Sequence, residues 1–285
     1  MKLEYFSYSG IQSFINCPAQ FKYRYIDKLY KKDESIEAFM GKRVHETIEY
    51  LFNQKLNGHT ISYDNLIKYH HDLWDSLWHN RIAIVNRKIL PIDREKNIPL
   101  WKKYAAFYFR TGEKCITNFY MMNKPFNQNV YANEYRMDFL LDENENYRIK
   151  GVADRLDVDR NGNWEIHDYK TGKRIISQKE ANNSLQLGLY QIGLLQKKSN
   201  VSSIELVWHF LQQKKENIIV RAKINNQSLK NLKNKIKTII DRIRNKIHID
   251  ENFEPKTSLL CNWCYYWEEC PGQTKTNPFI GTKNV

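Results

Sequence analysis

The strongest constraint in this sequence is a change of period. Over residues 129–141, 147–158 and 163–170 apolar and polar residues alternate, in three consecutive runs. Successive strand side chains point to opposite faces, so each run reads as a half-buried strand. The second and third are joined by Asp159-Arg-Asn-Gly-Asn163, a sequence rich in turn formers. Three strands with short polar connections predict an antiparallel meander.

On both sides of the meander the spacing becomes helical. Residues 7–29 read as a helical opening interrupted at Pro18. Residues 36–57 read as an amphipathic helix with Phe39, Val44, Ile48, Leu51 and Phe52 on its apolar stripe. Segments 64–84 and 99–121 also look helical, and the charged stretch 86–99, which holds Pro91 and Pro99, reads as a loop. Beyond the meander, 184–195 reads as a helix, 203–212 as a strand and 227–248 as a helix. This order predicts an α/β core with a helical region inserted before the sheet. We expect a single domain over 1–285, with the helical insertion at about 60–125 and a cysteine-rich segment at 251–285.

Charge narrows the partners. The 45 Lys and Arg outnumber 32 Asp and Glu, a formal net charge of +13. Such a surplus attracts polyanions, with nucleic acid ahead of an anionic membrane surface. Between Lys214 and Lys246 eleven basic residues face only Glu216 and Asp241. The apolar stripe Leu229, Leu232, Ile236, Ile239, Ile240, Ile243 and Ile247 makes part of this stretch a helix with one strongly basic side. A solvated helix face explains that side as well as phosphate contact does. No apolar run is long enough to span a bilayer, and residues 1–10 lack a signal-peptide pattern. The expectation is a cytoplasmic protein without a membrane partner. No G-x-x-x-x-G-K-[ST] motif is present, so ATP-driven work would need another chain.

Asp168 and Lys170 fall on one face at the end of the third strand, and a neighbouring strand can bring Asp154 beside them. Two close carboxylates repel unless a cation lies between them, and hard oxygen ligands select Mg²⁺ or Mn²⁺. Such an ion activates water and neutralises phosphate charge, and an adjacent lysine adds to both effects. Asp-x-Lys alone is more often an edge-strand charge pair.

Five motifs occur in order: Gly41-Lys-Arg-Val-His45, Asn133-Glu134-Tyr-Arg-Met, Gly151-Val-Ala-Asp154-Arg-Leu-Asp157, Asp168-Tyr-Lys170-Thr-Gly and Gln186-Leu-Gly-Leu-Tyr190. Together they resemble the PD-(D/E)xK nuclease superfamily, specifically its RecB-like branch. The resemblance implies a restriction-endonuclease-like α/β core, a central mixed sheet flanked by helices. It also implies a Mg²⁺- or Mn²⁺-dependent deoxyribonuclease, acting on single-stranded DNA ends in repair, recombination or CRISPR adaptation. By resemblance His45, Asp154, Asp168 and the Tyr169 backbone carbonyl are the metal ligands and Lys170 is the catalytic cation. Glu134 adds charge at the site or orients water. Gln186 and Tyr190 contact DNA or support Lys170, with core packing an equal reading for Tyr190. Arg155 and Asp157 are structural or flank the substrate.

Cys261, Cys264 and Cys270 cluster near the C-terminus, Cys17 stands alone before Pro18, and Cys115 sits in an apolar helical pattern. A four-thiolate site follows, with zinc and an iron–sulfur cluster both open from spacing. The pairing of an N-terminal Cys-Pro with a C-terminal triad resembles the iron–sulfur nucleases of this branch, of CRISPR-adaptation and AddB type. It implies a [4Fe–4S] cluster on Cys17, Cys261, Cys264 and Cys270 that staples the chain ends. The nearby Phe21, Tyr23, Tyr25, Trp263, Tyr265, Tyr266 and Trp267 read as shielding first and base-stacking second. The competing function is a non-catalytic DNA-binding subunit of a helicase–nuclease or adaptation complex.

Overall fold

The computed structural model describes residues 3–85, 98–142, 145–213, 218–249, 252–273 and 277–278. Residues 86–97 of the expected loop, with Lys214 and Lys215 of the basic stretch, lie outside them. The meander forms as expected: β3 (Val130–Asp142), β4 (Glu145–Val158) and β5 (Asn163–Lys170) pair antiparallel in sequence order. Then β6 (Ser203–Phe210) pairs parallel to β5, and β7 (Ile219–Ala222) antiparallel to β6. The result is a mixed five-stranded sheet in the order β3-β4-β5-β6-β7. The β5–β6 crossover runs through α6 (Gln178–Asn182) and α7 (Leu185–Lys197), because parallel neighbours need a long connection.

Helices cover both faces. On one side α1 (Tyr8–Asn16), α7 and α8 (Asn226–His248) bury Phe14, Leu187, Leu194, Ile236 and Ile240 against Met137, Phe139, Leu156, Ile166 and Phe210 of the strands. On the other, α3 (Ile36–Leu56) and α5 (Ile98–Asn123) bury Val44, Ile48, Phe52 and Phe119 against Tyr169 and Leu211. Pro18 does not merely interrupt the opening helix. It starts α2 (Pro18–Phe21), the position where its absent N–H and fixed φ are tolerated. Helix α4 (Tyr63–Leu77) is shorter than the expected 64–84, because Trp78 turns extended and Ile82–Ala83 (β2) pair with Glu34–Ser35 (β1). Among the described residues no helix is long and apolar enough to cross a membrane.

The basic side of α8 is partly committed to packing. Arg242 lies 6.0 Å over Phe14, Arg244 4.7 Å over Tyr147 and Lys246 5.9 Å over Phe253, while Lys237 bonds Asp142 at 3.1 Å. Long basic stems cover apolar surface with their heads outward.

The α3 side of the sheet holds a buried polar network. Arg155, 1% exposed, reaches Asp157 (2.9 Å) and the Tyr169 hydroxyl (3.2 Å), and its guanidinium lies 4.5 Å from the Phe52 ring centroid. His167 bonds Asp157 and Glu165, each at 3.2 Å, and Arg221 bonds Glu165 at 2.6 Å. Ligand atoms of Asp157, Glu165 and His167 gather within 4.8 Å, but Arg155 already supplies the positive charge there. Glu165 is held down at about 2 by its bond to His167, which outweighs burial, with help from Arg221. A depressed carboxylate stabilises the fold above its unfolded pKa of about 4.5, and that contribution is lost as pH falls towards 2. Glu165→Gln is therefore expected to flatten the acid limb of stability between about pH 4.5 and 2 in urea-unfolding series. Superimposable acid limbs for variant and parent would refute it.

Candidate active site

The site lies in a fork between β4 and β5. Their ladder ends at Arg155↔His167, so Asp154 and the segment Asp168–Lys170 lie just past the last pair. There the Tyr169 N–H donates to Asp154 Oδ2 at 2.6 Å, a side chain replacing the strand as acceptor. Face alternation also slips at this level. In β4, Ala153 and Leu156 both join the α7-side core, while Arg155 between them turns to Phe52 on α3. Glu134 sits between the pairs Asn133↔Arg155 and Tyr135↔Ala153, which places it across from Asp154. Its φ is 43°, a left-handed conformation that costs a non-glycine residue about 1–2 kcal/mol. The slip aims both carboxylates into the fork.

Helix α3 brings His45 from the opposite side. Its Nε2 lies 2.9 Å from the Tyr169 carbonyl oxygen and its Nδ1 3.5 Å from Asp154 Oδ1. Ligand atoms of His45, Glu134 and Asp154 all lie within 4.8 Å of one another. Asp168 takes a different position: Oδ2 is 2.7 Å from Lys170 Nζ, and Oδ1 accepts from Gln186 Nε2 at 2.9 Å. Lys170 in turn donates to Gln186 Oε1 at 3.1 Å. Gln186 thus fixes both members of the Asp168–Lys170 pair. Asp168 is 3% exposed, and its Oδ2 has no hydrogen bond of good geometry despite the nearby ammonium.

The electrostatics follow from crowding. Burial raises Glu134 to about 7, and the Asp154 and Glu49 charges push the same way. Burial also raises Asp168, against the pull of Lys170. Burial would hold His45 neutral, but Asp154, Asp168 and the Tyr169 carbonyl lift it to about 9. Protons here relieve repulsion among three acids. A divalent cation would do the same work and return His45 to its neutral ligand form. A cation with bonds of about 2.1 Å needs neighbouring ligands roughly 3 Å apart, close to the separation of His45 Nε2 and the Tyr169 oxygen. The donor set of carboxylates, a carbonyl and one imidazole therefore fits Mg²⁺ or Mn²⁺.

Tyr190 is 7% exposed and packs inside the core, where its hydroxyl bonds the Gln186 side chain and the Val152 backbone. It supports Gln186 from behind. Gly151 and Gly41 are contact positions, whereas Gly172 faces open space. A Cβ on Gly151 would lie 2.6 Å from the Tyr190 ring, and one on Gly41 would lie 3.1 Å from Thr171 Oγ1. Gly151→Ala is expected to push Tyr190 back and loosen Gln186. Overpacking costs about 1–3 kcal/mol, and kcat should fall more than KM rises. Parent-like thermal stability together with parent-like kcat would rule this out.

Tyr8 on α1 was not marked by any sequence motif. Burial raises its pKa, and the charges of Lys170 and Asp168 both act on it, so α1 borders the site. It lies 160 positions before Asp168 in the chain, and no local pattern could have joined them.

A second constellation lies at the chain ends. Cys17, Cys261, Cys264 and Cys270 line one pocket. Each sulfur accepts from N–H groups: Cys17 from Lys256, Cys261 from Ser258, Cys264 from Gln20 and the Tyr266 backbone, Cys270 from Gly272 and Gln273. The aromatic neighbours close the pocket. Trp267 Nε1 donates to the Cys261 carbonyl, Tyr23 to that of Glu269 and Tyr266 to that of Leu29. Trp263 and Tyr265 pack against Ala83 and Val85. Cys115 is fully buried elsewhere.

Comparison with known proteins agrees with this architecture. A family profile described as the PD-(D/E)XK nuclease superfamily matches residues 5–271. No curated protein matches the chain in sequence. Among solved structures, a protein of Eubacterium rectale provisionally named an exonuclease superposes with a TM-score of 0.51 at 12% identity, covering 92% of this chain and 87% of that one. SSO0001 gives a TM-score of 0.42 at 12% identity, covering 96% and 89%, a likeness too slight to carry an argument.

Proposed function

Because this chain belongs to the PD-(D/E)XK nuclease superfamily, whose members hydrolyse phosphodiester bonds with divalent metals, we propose that it is a Mg²⁺- or Mn²⁺-dependent deoxyribonuclease acting on single-stranded DNA ends. The observation that carries this reading is the fork itself: His45, Glu134, Asp154 and the Tyr169 carbonyl converge beside the Asp168–Lys170 pair. In this reading His45, Glu134, Asp154, Asp168 and the Tyr169 carbonyl would hold the metal, which would supply an activated water and neutralise phosphate charge when bound. Lys170 donates from Nζ to the attacking water or to a phosphate oxygen, where charge grows. Gln186 keeps that ammonium aimed, and Tyr190 keeps Gln186 in place.

The preference for DNA ends rests on the RecB-like resemblance, and the basic surplus favours a polyanion. A helicase or CRISPR-adaptation complex is the kind of partner that would supply unwound ends. The test is cleavage of end-labelled single- and double-stranded DNA with Mn²⁺, each end blocked in turn. Cleavage of the single strand that stops when one end is blocked is the expected result. Binding without cleavage of any substrate would overturn it in favour of a non-catalytic DNA-binding subunit.

The same reading places a [4Fe–4S] cluster on Cys17, Cys261, Cys264 and Cys270. Two observations support it. Each sulfur receives N–H hydrogen bonds, the arrangement that stabilises cluster thiolates. Burial, with the other three sulfurs, raises Cys264 to about 11, so the set needs a cation to hold thiolates together. Zinc is the less favoured occupant. Its bonds of about 2.3 Å require sulfurs roughly 3.8 Å apart, and the ligand groups gathered within 4.8 Å among the described residues contain no three of these sulfurs.

A further inference from the structure

Residues just before α1 extend the sheet at the open edge of β4. The Phe6 N–H donates to the Arg148 carbonyl (2.9 Å), and the Lys150 N–H donates to the Phe6 carbonyl (2.8 Å). Lys150 is four residues from Asp154 on the same strand, roughly 13 Å along it. Two residues after Phe6, Tyr8 lies in the field of Lys170 and Asp168. Beside this edge strand opens a cavity of about 370 Å³ lined by Tyr5, Phe6, Phe21, Tyr25 and Lys28, with Glu4 as its one carboxylate. That volume falls in the range of small-ligand pockets, about 300–1,000 Å³.

The walls are flat and aromatic. Phe21 and Tyr25 stack at 5.1 Å with 28° between their planes, and Phe21 and Phe6 form a buried floor. Tyr5 stands at the rim, 47% exposed, with Lys150 Nζ 4.3 Å over its ring. Tyr23, Tyr266 and Trp267 spend their polar groups closing the cysteine pocket, whereas Tyr5 and Tyr25 line this cavity beside β4. Aromatic planes next to ammonium groups are the chemistry that holds unpaired bases and their phosphates.

We propose that this cavity takes one unpaired base of a single DNA strand that leaves the fork past Lys150, with Lys150 and Lys28 meeting its phosphates. The proposal rests on the nuclease reading above. The experiment measures binding without turnover, in Ca²⁺, by fluorescence anisotropy of labelled single-stranded oligonucleotides, with one abasic sugar walked through the sequence. For the parent protein, one abasic position should weaken binding about fivefold or more. Tyr5→Ala and Tyr25→Ala should weaken binding of the intact strand similarly and lose nothing further at that position. Tyr25→Phe, which keeps the stack, should behave as the parent and separates base contact from misfolding. Equal affinity for every abasic strand, or a variant that loses as much again at the sensitive position, would overturn the proposal. Cleavage by the parent on the same strands reports separately. An abasic signature without cleavage would leave the pocket and remove the nuclease reading, and cleavage without a signature would do the reverse.

Discussion

Asp154→Asn is expected to lower DNA cleavage by at least about a thousandfold while leaving the fold intact. Asp154 is the hub of the fork, in contact with the Tyr169 N–H and His45 and grouped with Glu134. An asparagine oxygen can still accept the Tyr169 N–H, so the β4–β5 fork should survive. What is lost is the negative charge that draws the cation and aligns His45. Removing one preorganised group in such a site costs about 10²–10³ in rate, and here cation affinity falls as well. Lys170→Ala should lose rate to a similar degree but keep Mn²⁺ affinity, because its ammonium opposes the cation electrostatically. Circular dichroism, Mn²⁺ titration calorimetry and single-turnover cleavage check the three parts. Cleavage by Asp154→Asn within tenfold of the parent would eliminate the assigned role.

The second large effect is expected at the cysteine pocket. Anaerobically purified protein should be brown and contain iron and sulfide, and Cys264→Ala should be colourless. The pocket joins Cys17, at the start of α2, to three residues from the far end of the chain. Metal bound only by the folded state adds its binding energy to folding. Its loss should lower the melting temperature by on the order of 10 °C. The fork lies in the sheet, so Mn²⁺ affinity should change far less than stability. Colourless parent protein with one zinc per chain would instead assign the site to zinc.

Much of the scaffold was readable along the chain. Period-two alternation located β3, β4 and β5 to within two residues, because one face of each strand is buried and the other is not. The steps of three and four located α3, α7 and α8 for the same reason. Where a segment was aromatic on every side, as at 64–84, the period overran. The helix stops at Leu77, and pairing with Glu34–Ser35 decides the conformation of Ile82–Ala83. The basic stretch was visible, but its use was not: Arg242, Arg244 and Lys246 lie across aromatic rings, a choice made by distant parts of the chain.

The strand run from 129 to 170 marks the same division. Alternation alone determined that Asp168 and Lys170 share a face, since both properties belong to one strand. Motif order determined which residues to bring together. Only the tertiary structure decided how they meet. The fork past Arg155↔His167, the left-handed Glu134 opposite Asp154, the reach of His45 to the Tyr169 carbonyl and the grip of Gln186 on the Asp168–Lys170 pair all join separate elements. Such contacts depend on strand divergence and helix placement, which local periodicity does not encode.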